Sequence, residues 1–134
     1  MPNKLSKWTM SFLTKLMNWV AGAWTIHNSP TFVADIQQML GEIKEKNQKI
    51  VGSIYASSGY SNQNLVGRTV YFAYDCLDRV IGMYPDKQLI TALLKEIAER
   101  KYEFEQSEYD PDGIVAGTLV DIENALQEKA RSAE

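Results

Sequence analysis

Apolar residues return every three or four positions along most of the chain, the period of a helix buried on one face, and β-branched residues seldom alternate at period two. Proline and glycine divide this pattern into five predicted helices. The first covers residues 5–24 and ends at the connection Ile26-His27-Asn28-Ser29. The second opens with Ser29 as N-cap and Pro30 at the first helical position, where a missing N–H costs nothing. Its apolar residues Phe32, Val33, Ile36, Leu40, Ile43, Ile50 and Ile54 trace one face that should be buried. A polar loop is predicted over residues 56–63. Leu65, Val66, Val70, Tyr71, Phe72, Tyr74, Leu77, Val80 and Ile81 then mark a third helix stopped by Pro85. Asp86 is placed to cap a fourth helix carrying Leu89, Ile90, Leu93, Leu94, Ile97 and Tyr102. Asp110-Pro111 starts a fifth with Ile114, Val115, Leu119, Ile122 and Leu126. The pattern predicts an all-α protein: an extended N-terminal helical arm, residues 1–28, and a compact four-helix bundle, residues 29–134.

The polar edge of the arm carries its chemistry. At 100° per residue, Lys4, Lys7, Ser11, Thr14, Lys15 and Asn18 share one stripe of hydrogen-bond donors. Trp8, Phe12 and Trp19 border the stripe, with Leu5 and Leu16 just beyond. Leu13, Met17, Val20 and Trp24 complete a broad apolar face. A helix this apolar needs cover from a partner, a membrane or its own body. Lysines beside hydroxyls suit phosphate, because the charges supply salt-dependent attraction and the neutral donors fix position without reading sequence. Lysine with tryptophan on an amphipathic helix equally suits an anionic lipid surface. The plainest reading is a core helix with a solvated edge, and all three stay open at this point.

Charge separates the same two parts. Residues 1–34 hold Lys4, Lys7 and Lys15 and no acid, +3, whereas residues 35–134 hold 11 basic and 17 acidic side chains, −6. Such polarity suggests one surface for a polyanion and another for solvent. The acidic run from Glu96 to Asp112 should face away from any nucleic acid. A 45% apolar and 23% charged composition is that of a globular chain, which sets aside disorder. Thr9, Ser11, Thr14, Lys15 and Asn18 interrupt the N-terminal apolar run, and no stretch reaches the roughly 20 apolar residues of a membrane span.

Little in the chain suggests catalysis, and no cofactor is expected. His27, the single histidine, has no carboxylate near it in sequence, and Cys76, the single cysteine, sits on an apolar helix where a thiol is normally inert. One cysteine forms no intrachain disulfide and no multi-cysteine zinc site. Asp75, Asp78 and Arg79 read as surface ion pairs. The donors of Tyr55, Ser57, Ser58, Tyr60, Ser61, Asn62, Gln63 and Asn64, with Arg68 after them and Lys44, Lys46 and Lys49 before, could extend a phosphate surface. A solvated loop is the simpler account.

Several short motifs carry a likeness to a known family. They are Lys7-Trp8 in a basic arm, Asn28-Ser29-Pro30-Thr31-Phe32-Val33-Ala34 opening the next helix, Val70-Tyr71, and Leu77-Asp78-Arg79-Val80-Ile81-Gly82 ahead of Pro85. To these are added the 91–102 and 109–111 regions. In this order the chain resembles the major capsid proteins of filamentous archaeal viruses, the rudivirus and lipothrixvirus group. The resemblance implies a non-enzymatic virion protein whose arm wraps double-stranded DNA, held in A-form, while the bundle packs against identical or paralogous subunits in a helical filament. The DNA-facing residues would be Lys4, Lys7, Ser11, Thr14, Lys15, Asn18 and Arg68, and the subunit contacts Trp8, Phe12, Leu16, Trp19 and Trp24. A net charge of −3 is low for a DNA-coating chain and calls for a more basic partner subunit. The rival expectations are a membrane-surface or envelope-associated adaptor using the same arm, in contact with lipid, and a small cytoplasmic immunity or adaptor module whose arm docks on its body.

Overall fold

The computed structural model describes residues 26–54 and 59–132, the latter with side chains from Asn62 onward. They form four helices: α1 (Pro30–Ile54), α2 (Gly59–Val80), α3 (Asp86–Ser107) and α4 (Ile114–Ser132). No strand occurs among the described residues. The predicted first helix and its apolar face lie outside them.

The helices run up and down. Residues leading into α1 meet the end of α2 through Ile26 N–H donating to the Gly82 carbonyl at 3.3 Å. Arg68 near the start of α2 reaches Glu108 just past α3 at 3.0 Å, and Lys101 of α3 reaches Glu123 of α4 at 3.2 Å. Lys129, late in α4, lies 5.9 Å from the ring of Phe32, early in α1. Both α2 and α4 pack against all three other helices, whereas α1 and α3 scarcely meet. The core follows from this arrangement: Ile36 and Leu40 of α1, Leu77 of α2, Leu89, Leu93 and Ile97 of α3, and Ile122 and Leu126 of α4 are fully buried. Each such side chain contributes about 1.5–3 kcal/mol by leaving water.

Four expectations need correction. The buried stripe of α1 runs through Ile36, Leu40, Asn47 and Val51, while Ile50 and Ile54 are 45% and 66% exposed. Within the stripe Asn47, donating to the Asp121 carboxylate at 3.1 Å, takes a place an apolar residue would hold. Second, the predicted polar loop is largely helical, since α2 begins at Gly59. Gln48 and Gln63 explain how: each side-chain amide donates to the other's backbone carbonyl, at 3.1 and 3.0 Å, locking α1 to α2. The helices approach so closely here that a Cβ on Gly52 would stand 2.5 Å from Gln63 Nε2. Third, α2 stops at Val80 rather than continuing to Pro85. Gly82, at φ +80°, makes a left-handed turn that only glycine adopts without strain.

The fourth correction concerns caps. Asp86 does not cap its own helix: the N-cap is Pro85, which offers no side-chain bond, and the Asp86 carboxylate turns to the residues before α1. Asp110 does cap, but from further away than expected, because residues 110–113 make a turn, Gly113 N–H donating to the Asp110 carbonyl at 3.3 Å, before α4 begins at Ile114. Its carboxylate accepts from the amides of Ile114 and Val115 at 2.7 and 3.0 Å, and from Ala116 at 3.5 Å. Asp110→Ala is expected to cost about 1 kcal/mol by freeing these helix-terminal donors, measured as a lowered urea midpoint at unchanged slope.

Candidate functional site

The predicted stripe residues Lys4, Lys7, Ser11, Thr14, Lys15 and Asn18 lie outside the described residues, as do Trp8, Phe12, Leu16, Trp19 and Trp24. The residues that follow them, 26–29, form the root of the predicted arm and are held by a compact polar latch.

Asn28 is the centre of the latch. Its Oδ1 accepts from Gly82 N–H at 2.8 Å, and its Nδ2 donates to the Tyr84 carbonyl at 2.8 Å and to Asp86 Oδ1 at 3.0 Å. Ser29 N–H is shared between both Asp86 oxygens at 3.3 Å. Carbonyls at and beyond the end of α2 have no helical partner of their own, so Ile26 N–H satisfies that of Gly82 and the Asn28 side chain, 56 residues away in sequence, that of Tyr84. The segment 26–29 is thus fixed to the α2–α3 turn. Ile26, Met83 and Tyr84 remain partly exposed around this point, at 36, 62 and 38%.

Beside the root lies a groove of about 370 Å³ lined by Val80, Tyr84, Gln88, Ala92, Lys95 and Glu99, together with Thr91 and Glu96. The α3 residues among these recur every three or four positions, so the groove follows one face of α3.

Arg68 is placed differently from the expectation. Its guanidinium forms a two-pronged pair with Glu108, Nε at 3.2 and 3.1 Å from the two oxygens and Nη2 at 3.0 Å. Because α2 and α3 are antiparallel, the start of one meets the end of the other, and an acid was waiting there. The Arg68 side chain is still 53% exposed, and such a pair contributes only about 0.2–1 kcal/mol. Lys44, Lys46 and Lys49 are exposed and make no ion pair among the described residues. They do not form one patch. Lys46 and Lys49 line a shallow hollow with Glu42 and Glu45, whereas Lys44 approaches Gly67 of α2.

The expected pairing around Asp75 is larger than sequence suggested. Arg79 lies 3.5 Å from its carboxylate, and Arg100 of α3 lies 2.9 Å from it. The Arg100 hydrogen bond, assisted by both positive charges, holds the Asp75 carboxyl below the usual carboxylate range. Arg100 also donates to Cys76 Sγ at 3.4 Å and stands over Phe72 at 5.5 Å, while Phe72 stacks on Phe104 at 4.6 Å. Burial pushes the Cys76 thiol up to about 11, which leaves little thiolate at neutral pH. This is structural packing of α2 on α3. Among the described residues no cluster of histidine, cysteine and carboxylate side chains could hold a metal ion, and no helix is long and apolar enough to cross a membrane.

Sequence reasoning missed the latch altogether. Asn28 read as part of a connection and Asp86 as a local helix cap, and nothing in their spacing signals that they bind each other. The one available sign was redundancy: Asn28, Ser29 and Pro30 offer more start signals than a single helix needs. Comparison with known proteins adds no relative: no family model, no curated protein and no solved structure matches this chain.

Proposed function

We propose that this chain is a structural nucleoprotein subunit, the major capsid protein of a filamentous virion of the archaeal-virus type, whose N-terminal arm lies along the phosphates of double-stranded DNA while the helical body contacts neighbouring subunits. The observation that carries the reading is the segregation of charge and aromatic surface. All three tryptophans and three lysines with no acid fall in the first 34 residues, and the remaining 100 carry −6. The latch at Asn28 supports it, since an arm that organises a filament needs a fixed point of departure from the body. DNA contact would be to the backbone and independent of sequence.

Each arm brings only three lysines. Affinity must therefore come from polymerisation, which converts weak contacts into a continuous array by effective concentration. Duplex binding by an assembly-blocked monomer should be far weaker than binding by the polymer; equal affinities would sink this mechanism. The arm's lysine and tryptophan pattern also suits anionic lipid. Flotation with anionic vesicles in the absence of nucleic acid, lost in Trp8→Ala with Trp19→Ala, would transfer the reading to a membrane-surface or envelope adaptor.

A further inference from the structure

Aspartate followed by glycine is a backbone prone to rearrange, because glycine has no side chain to keep its own amide nitrogen from the aspartate carboxyl. The sequence holds one such pair, Asp112-Gly113, and no asparagine precedes glycine. In the fold the pair closes the turn of residues 110–113 ahead of α4, and both residues are exposed. Pro111 takes the second position of this turn, where its fixed φ fits. The Asp112 carboxylate enters no hydrogen bond or ion pair among the described residues. It borders an open hollow of about 300 Å³, so the side chain has room to fold back on the main chain. Gly113 N–H is held only by its bond to the Asp110 carbonyl, at 3.3 Å beyond the usual range for such bonds. Nothing lies within 4 Å of the place a Cβ on Gly113 would take.

Other positions are closed to the same chemistry. Asn28 precedes the small Ser29, but its side-chain amide is engaged at both ends and Ser29 N–H is donated to Asp86. Asp110 precedes proline, which has no N–H to attack with. Asp75, Asp78 and Asp121 lie inside helices, which commit the following amide to the helical ladder.

We propose that Asp112-Gly113 is a site of spontaneous covalent modification, at which Asp112 converts to isoaspartate through a cyclic imide. Gly113 N attacks Cγ of the uncharged Asp112 carboxyl, the Cγ–OH bond breaks, and the hydroxyl leaves with the amide proton as water. Water then opens the five-membered ring. Addition at Cγ restores aspartate. Addition at the main-chain carbonyl carbon of Asp112 breaks its bond to Gly113 N, so the chain now runs through Cβ and Cγ and the main-chain carboxylate is free. Water is the only co-reactant. The turn gains one backbone atom, which moves the Asp110 carboxylate from the amides of Ile114 and Val115 and loosens the first turn of α4. Gly113 N must leave the Asp110 carbonyl before it can attack, so whatever steadies the turn slows the reaction. The modification is independent of what the arm binds.

The test incubates the full-length protein in heavy-oxygen water below its thermal transition, then maps its peptides by fragmentation that separates isoaspartate from aspartate. Isoaspartate carrying one heavy oxygen should accumulate at residue 112, and the converted protein should melt below the parent. Asp112→Glu, which would have to close a six-membered ring, should show none. Asp110→Ala should accelerate conversion severalfold by releasing the turn. Residue 112 unchanged while a linear peptide of residues 108–116 converts under the same conditions would overturn the proposal, as would conversion centred on Asn28 or Asp121. An Asp110→Ala rate equal to that of the parent would overturn control by the turn.

Discussion

Replacing Lys4, Lys7 and Lys15 together by glutamate should abolish binding to duplex DNA and assembly upon it, while leaving the thermal transition of the body in place. Reversal turns an arm of +3 into one of −3. In the parent protein, three phosphate contacts predict a slope of about −2.7 per subunit in log K against log salt, or about 40-fold weaker binding per subunit between roughly 50 and 200 mM salt. Over an array these factors multiply, so assembly should collapse over a narrow salt range. A titration followed by anisotropy of labelled duplex measures the slope. A parent slope near zero, or a triple variant that still coats DNA, would remove the arm lysines from the account.

The second large effect is expected at Asn28. Asn28→Ala deprives Gly82 N–H, the Tyr84 carbonyl and Asp86 of a partner, a loss of about 2 kcal/mol. For a body of this size that lowers Tm by roughly 8 °C. Asn28→Asp is the sharper variant. It keeps the acceptor for Gly82 but places a second carboxylate where Nδ2 stands 3.0 Å from Asp86. Two like charges so close raise the pKa of the pair, because one of them must be neutral in the folded state. The sign follows: folding takes up a proton above the ordinary carboxylate range, so the penalty relative to the parent is full at neutral pH and shrinks as pH falls through the raised pKa. Thermal melts of both proteins at pH 7 and pH 4.5 measure it. A penalty that does not change with pH would mean the two side chains do not meet.

The helical body was legible because its core residues repeat at helical spacing: Leu89, Ile90, Leu93 and Ile97 were all read correctly from period alone. The same rule failed at Ile50 and Ile54, because periodicity reports which residues could be buried and not where the neighbouring helix ends. Gly59 to Gln63, within the predicted loop 56–63, read as a loop because glycine, serine and asparagine favour turns. What keeps them helical is an exchange of amide bonds between Gln48 and Gln63, invisible without knowing that α1 and α2 touch. Asp86 and Asp110 illustrate the same limit. Both are acids at helix starts, yet one caps its own helix and the other ties the arm root across 58 residues. Arg68 was read as a candidate phosphate contact, and its pairing with Glu108 was out of sight because the two lie 40 residues apart. Local rules found the elements, whereas every polar contact that fixes the candidate site joins residues distant in sequence.

The central claim is that many copies of this chain bury double-stranded DNA. Its most direct test mixes the purified full-length protein with linear duplex at low salt, adds nuclease, and sizes the surviving DNA while the same mixture is viewed by negative-stain microscopy. The account predicts filaments containing DNA protected in lengths that grow with the protein-to-DNA ratio, and loss of both in the triple lysine variant. Complete digestion of the DNA beside monodisperse, unassembled protein would contradict it.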